Sequence, residues 1–169
     1  MMFADLWVAE NIAFGLIALM MVVAAVRVVT TRNIVHAALY LVLVLAGVAA
    51  QYILLAAEFV AITQVLVYIG AVVVLFLFGI MLTRAPMGKM HDTDNEQRIV
   101  GLAIAVLLLG VMSYVLWKAF GKKQFEDLAV QTTAQVGNSI FQQYLMPFEV
   151  VSVVLLAALL GAIVLARRD

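Results

Sequence analysis

Two acidic side chains stand at the edges of long apolar runs, where an ionisable group is costly to keep. Glu58 comes directly before the run that begins at Phe59, and Glu149 follows Pro147 at the start of the last run. A carboxylate in such a place can carry a proton into or out of a membrane. Both residues also fit the first turn of a helix, where the positive end of the dipole favours a negative charge. The residue types therefore leave a proton-carrying role and an interfacial role open for each.

Two polar side chains, Gln64 and Tyr68, lie four residues apart inside the third apolar run. In an α-helix this spacing places them on one face. An amide and a phenol there can hold water or form hydrogen bonds between helices. Gly70 follows two residues later, and a glycine in mid-helix either permits close packing or marks a distortion such as a π-bulge.

Several other chemistries have no residues to support them. The chain has no Cys, which excludes disulfides, thiolate zinc sites and Cys-ligated iron–sulfur clusters. His36 and His91 are far apart in the sequence, and no glycine-rich nucleotide-binding motif is present. Ten basic residues balance ten acidic ones, which gives no electrostatic support for nucleic-acid binding. We therefore predict no catalytic residue, no metal site and no cofactor-binding site in this chain.

The elements that carry these residues are predicted to be membrane-spanning helices. Of the 169 residues, 67% are hydrophobic and 12% are charged, and the mean hydropathy is +1.16. A soluble domain of this size could not bury so much apolar surface. The runs are continuously apolar rather than alternating, which favours helices over a β-barrel. Five runs are long enough, or nearly so, to span a bilayer: residues 12–29, 34–57, 59–82, 99–117 and 145–166.

The distribution of Lys and Arg predicts the orientation of these helices. With five spans, seven basic residues fall on the side of the C-terminus and three on the other side. The predicted fold is therefore an all-α membrane protein with five transmembrane helices in a single domain, residues 1–169. Its N-terminus is expected in the periplasm and its C-terminus in the cytoplasm. The N-terminal segment lacks the basic residues of a signal peptide, so we expect the first span to be retained.

Two connections between the spans differ in length. Spans two and three are joined almost directly around residues 56–58, which predicts a tight antiparallel hairpin. The connection over residues 118–144 is long, and we expect it to pack on a neighbouring subunit. Within it, residues 125–130 are predicted to form a helical turn, and Gly137 with Asn138 a reversing turn.

Several stretches of the sequence resemble chain J of the bacterial NADH–quinone oxidoreductases (respiratory complex I), whose mitochondrial counterpart is subunit six. Residues 57–59 and 64–76 resemble the third helix of that family, and residues 33–39 resemble the start of its second helix. Residues 147–156 and 161–166 resemble its fifth helix. The motif in the third helix is fairly specific, whereas hydropathy alone would not be.

The resemblance implies a membrane-arm subunit of a hetero-oligomeric complex in the inner membrane of a bacterium. Such a subunit would pack beside chains A, H and K and be bordered by lipid, in a complex that couples quinone reduction to proton translocation. In the family, NADH, FMN, iron–sulfur clusters and quinone are held in or between other subunits. This chain would then belong to an oxidoreductase without being catalytic itself.

The resemblance also implies a gate in the third helix. In relatives, a π-bulge around the Tyr-x-Gly segment converts between π and α forms and opens or closes a hydrated path. Some relatives carry Glu where this chain has Gln64, and Gln can orient water but cannot carry a proton. On this interpretation the proton- and water-path candidates are Glu58, Gln64, Tyr68 and Glu149, and the hinge and gate residues are Tyr68, Gly70, Val72, Leu75 and Phe76.

Two alternatives stay open. The chain could be the equivalent subunit of a related assembly, namely a membrane-bound hydrogenase, a reduced-F420 dehydrogenase or a cation/proton antiporter complex. It could also be an independent small transporter or scaffold, although the charged residues that a self-sufficient transporter would need in mid-membrane are missing.

Overall fold

The computed structural model describes residues 9–83, 97–122 and 130–167, which are helical apart from short turns. Within these ranges, five helices are long and apolar enough to cross a membrane, as the sequence predicts. The third of them, Glu58–Leu82, is divided into two α-helices and a π-helical stretch between them, named here the π segment. The elements are α1 (Ala9–Thr30), α2 (Ile34–Leu54), α3 (Glu58–Thr63), the π segment (Gln64–Val73), α4 (Val74–Leu82), α5 (Arg98–Phe120), α6 (Thr133–Gln142) and α7 (Leu145–Ala166).

The chain divides into two compact units, one formed by Met1–Leu82 with Val130–Asp169 and the other by Thr83–Ala129. The described part of the second unit is α5 with a few flanking residues, and its described side chains are all exposed. A helix that is apolar on every side suits a surrounding of lipid or of other transmembrane helices. The first unit contains α6 and the other four spans.

Small residues form the contacts among the first three spans. α2 packs against α1 on one side and against the third span on the other. The buried apolar side chains are Ala24, Ala38, Ala49, Ala61 and Val73, none of them larger than valine. Lipid supplies no hydrophobic force between helices, so close backbone approach through small side chains has to supply the packing energy.

A tight turn joins α2 to the third span. The Ala57 N–H donates to the Tyr52 carbonyl and the Ala56 N–H to the Ile53 carbonyl, both at 2.9 Å. This pair of bonds is the Schellman arrangement, which requires a left-handed residue at its centre. Ala56 occupies that position with φ of 54°. The predicted hairpin is confirmed, and α2 ends at Leu54 rather than at residue 57 because the turn takes residues 55–57.

The long connection before the last span contains a helix that the sequence analysis does not predict. Gly137 and Asn138 lie inside α6, so the predicted turn at these residues is wrong. The helix begins with a capping box, in which the Thr132 side chain accepts from the Gln135 N–H at 3.4 Å and the Gln135 side chain accepts from the Thr132 N–H at 2.9 Å. That start signal outweighs the Gly-Asn pair. The predicted helical turn over residues 125–130 lies outside the described residues except for its last one.

Candidate functional site

Gln64 is the polar side chain that the described helices bury most completely. It is 8% exposed, and it opens the π segment. The π segment packs against α2, and Ala61 and Val73 are buried on the same span. An amide that is enclosed in this way can bind water or hold the helix in place, but it cannot carry a proton.

The side chains that face inward on the third span change their spacing at the π segment. Ala61, Gln64 and Val73 are buried and Ile69 is half-buried, so the step from Gln64 to the next inward residue is five positions. Ile69 is half-buried, whereas Tyr68 is 49% exposed. Gln64 and Tyr68, which are predicted to share one helix face, therefore differ in burial: Gln64 is enclosed, whereas Tyr68 is half exposed.

Gly70 lies inside the π segment on its exposed surface. A Cβ atom added there would meet the Val65 carbonyl oxygen at 3.5 Å, which is an ordinary contact. The π form therefore does not require glycine on steric grounds, and among the described atoms no neighbouring helix packs closely against Gly70. What glycine offers here is backbone freedom, since it weakens any single helical form.

The three apolar gate candidates lie on the outer surface of the third span. Val72 is 49% exposed, Leu75 74% and Phe76 45%, whereas their neighbour Val73 is buried. Val72 belongs to the π segment and the other two belong to α4. All three side chains are exposed on the described surface of this span.

Glu58 and Glu149 are brought to the same end of the first unit. Glu58 is the first residue of α3, and Glu149 is the fifth residue of α7. α6 packs against both α3 and α7, and the rings of Phe141 and Phe148 meet edge to face at 5.3 Å. Both carboxylates are exposed. The arrangement fits acidic groups that face water or headgroups at one membrane surface.

Gln51 is a polar group that the sequence analysis does not single out. Its Nε2 donates to the Phe14 carbonyl of α1 at 3.3 Å. Its Oε1 is buried and has no partner among the described residues. A single polar residue near the end of an apolar run is common, so the sequence gives no sign of this group. The buried Gln51 Oε1 acceptor becomes visible only once α1 packs on α2.

The described residues contain no group of three or more His, Asp or Glu side chains that could hold a metal ion. The polar groups that the described helices place around the third span are an amide, a phenol and carboxylates. The distinctive features of the arrangement are a buried amide, a π segment and two carboxylates at one end.

Comparison with known proteins shows the family of the chain. Residues 24–165 match the family NADH-ubiquinone/plastoquinone oxidoreductase chain 6. A relative from Methanosarcina mazei, F(420)H(2) dehydrogenase subunit J, is 38% identical and is aligned over 95% of this chain and 92% of its own length. NAD(P)H-quinone oxidoreductase chain 6 of Synechocystis is 40% identical, over 95% of this chain and 82% of its own.

A plant relative extends the similarity to organelles. NAD(P)H-quinone oxidoreductase subunit 6 from the chloroplast of Physcomitrium patens is 35% identical, over 95% of this chain and 85% of its own length. The chain belongs to the chain 6 family of the NADH–quinone oxidoreductases, and it is a membrane subunit of a complex of that type.

Proposed function

We propose that this member of the family couples quinone reduction to proton translocation by opening and closing a hydrated path beside its third span. The observation that carries the proposal is the π segment, Gln64–Val73, in the middle of that span. A π-helix is less favourable than an α-helix, and such segments are frequent at functional sites. The chain itself binds no redox cofactor and is not catalytic. NADH, FMN, iron–sulfur clusters and quinone belong to partner subunits or to the boundaries between them.

The gate works by a change in helix register. When the backbone bonds change from i+5 to i+4, the helix beyond the π segment turns by about one residue's step, roughly 100°. Val72, Leu75 and Phe76 then exchange positions with other side chains around the helix surface. Because these three are exposed in the π form, the path they plug runs along the outer face of the third span. Its other wall is supplied by a neighbouring subunit, for which chains A, H and K are the candidates.

Four polar residues have separate roles on this path or beside it. Gln64 orients water at the inner surface of the π segment, and Tyr68 supplies a hydroxyl on its outer surface. Glu58 and Glu149 exchange protons with the aqueous phase at the end where α3 and α7 begin. With the N-terminus in the periplasm of a bacterial inner membrane, as the basic residues indicate, that end is the periplasmic one.

The gate is tested by replacing Gly70 with Val in the assembled complex. A β-branched side chain restricts the backbone and crowds the preceding turn, so the change between helix forms is hindered. We expect proton translocation coupled to quinone reduction to fall severalfold while the subunits stay assembled. The matched control is Gly79→Val in α4, since a Cβ there would meet no atom within 4 Å. Wild-type translocation in Gly70→Val would overturn the gating role.

A second candidate function rests on the Methanosarcina relative, which is named as a subunit of an F(420)H(2) dehydrogenase. The same coupling role would then operate in an assembly that takes its electrons from reduced F420. The two candidate functions are distinguished by purifying a tagged copy from its native membrane in mild detergent and identifying its partners by mass spectrometry. Recovery with NADH-binding and flavin subunits and an inhibitor-sensitive NADH–quinone activity supports the first function. Recovery with an F420-dependent, hydrogenase or antiporter partner supports a related assembly, and recovery alone would indicate an independent transporter or scaffold.

A further inference from the structure

The third span carries a cavity near its beginning, which shares only Glu58 with the proposed path. Its volume is about 370 Å³. Ala61, which is 4% exposed, forms its floor, and three side chains that are more than half exposed form its walls. All the lining residues are apolar except one acidic residue. They are Ile53, Glu58, Ala61, Ile62, Val65 and Leu66.

The cavity runs from headgroup depth into the hydrocarbon. The third span has 25 residues, ten of them π-helical, so it is somewhat shorter than the roughly 37 Å of an all-α helix but still longer than the hydrocarbon core, which is about 30 Å thick. Its first residue, Glu58, therefore reaches the headgroup region. Ile62 and Leu66 lie about one and two turns deeper. A cavity with a charged group at headgroup depth and an apolar continuation below it matches the two parts of a membrane lipid.

The described charges of the first unit favour a cationic headgroup at Glu58 over an anionic one. In the first unit, the described acidic residues Glu10, Glu58 and Glu149 all lie at the end where α1, α3 and α7 begin. The described basic residues of this unit lie towards the other ends of the same helices or in the turn beyond: Arg27, Arg32 and Arg167. An anionic headgroup at Glu58 would be repelled by this carboxylate and gain no cationic partner from this unit. A primary ammonium group can donate a charge-assisted hydrogen bond to Glu58, which a quaternary ammonium cannot.

We propose that this cavity binds a phospholipid whose headgroup carries a primary ammonium, as phosphatidylethanolamine does. One acyl chain lies over Ala61 between Ile53, Ile62 and Leu66, and the ammonium group binds the Glu58 carboxylate. The proposal depends on the cavity and the charges alone, so it does not require the gating role of the π segment.

Photo-cross-linking in the intact assembly tests what occupies the cavity. The photoreactive amino acid benzoylphenylalanine is introduced at Ile62, or as a control at Met81, which is exposed on the same span but does not line the cavity. After irradiation of native membranes, mass spectrometry identifies the adduct. A phosphatidylethanolamine adduct that is enriched at Ile62 over Met81 supports the proposal. A cross-link from Ile62 to a partner subunit would overturn it, because a protein helix would then fill the cavity.

Headgroup selectivity is tested by substitution and native mass spectrometry. The purified assembly is incubated with vesicles that contain equal amounts of phosphatidylethanolamine and phosphatidylglycerol, and retained lipids are counted. We expect Glu58→Gln to lower phosphatidylethanolamine retention about threefold, the size of effect typical of an exposed ion pair, and Glu10→Gln to leave it unchanged. Ile62→Trp, which fills the cavity, should lower retention of the acyl chain whatever the headgroup. Equal retention of both lipids by the wild type, or an unchanged Glu58→Gln, would overturn the proposal.

Discussion

Replacing Gly47 by Ala is expected to destabilise the packing of α1 against α2. Gly47 is buried, and a Cβ atom there would overlap the Met21 Cγ and come within 2.8 Å of the Met21 Sδ. The Cγ atom is held close to the α1 backbone, so either Met21 changes rotamer or the two helices separate. Overpacking of this kind costs about 1–3 kcal/mol, and removing glycine from a helix returns about 0.5–1 kcal/mol. The expected net loss is therefore about 1 kcal/mol.

The assay is unfolding by SDS in mixed micelles, followed by far-ultraviolet circular dichroism. Gly15→Ala in α1 is the matched control, since a Cβ there would meet no atom within 4 Å, and it should stabilise the chain by about 0.5–1 kcal/mol. Combining Gly47→Ala with Met21→Ala removes the overlap, so the double variant should be more stable than the sum of the single effects by at least about 0.5 kcal/mol. Strict additivity, or a Gly47→Ala variant that is as stable as Gly15→Ala, would refute the reasoning.

Three further predictions concern the turn, the capping box and the last span. Ala56→Gly should stabilise the chain by up to about 1 kcal/mol because it relieves the left-handed alanine, and Ala56→Val should destabilise it; SDS unfolding measures both, and equal stabilities would contradict the turn geometry. Thr132→Ala should remove a cap worth about 0.5–2 kcal/mol, and hydrogen exchange should then be faster across α6; unchanged exchange would mean that the capping box does not hold the helix. Glu149→Gln should impair NADH–quinone activity less than loss of the subunit does, because the side chain is exposed. A Glu149→Gln complex that is fully assembled but inactive would contradict this prediction.

The number and approximate positions of the membrane-spanning helices could be predicted from the sequence, because a membrane restricts the backbone structures that can cross it. Long apolar runs have to be helices, and each run marks its own helix. The boundaries were harder to predict where apolar residues continue through a turn. Residues 55–57 are Leu-Ala-Ala, so nothing in their polarity separates α2 from the turn that follows it.

Two features were not predicted from the sequence, each for its own reason: the length of the π segment in the third span and the presence of α6 in the long connection. Gly70 suggests a distortion in its helix, but a single glycine does not indicate that ten residues, Gln64–Val73, adopt π geometry. In the long connection, the pair Gly137 and Asn138 favours a turn, yet Thr132 and Gln135 together start a helix that runs through it. In this connection the capping box, which starts a helix, has more influence on the backbone than the Gly-Asn pair, which favours a turn.

The exposure of each candidate site residue could not be predicted from the sequence, because burial depends on which helix faces which. Gln64 and Tyr68 look equivalent in the sequence, but the first is enclosed and the second is not. The cavity at Glu58 is likewise formed by residues from two helices that meet only after the hairpin closes.

The gating role is tested most directly by electron cryomicroscopy of the intact assembly, frozen at rest and during turnover. Our account predicts that residues 64–73 are π-helical in one population and α-helical in another. The Phe76 ring should then move by about 8–9 Å, since a rotation of roughly 100° acts at a radius of about 5–6 Å. A π segment that is unchanged in every population during active turnover would contradict the account.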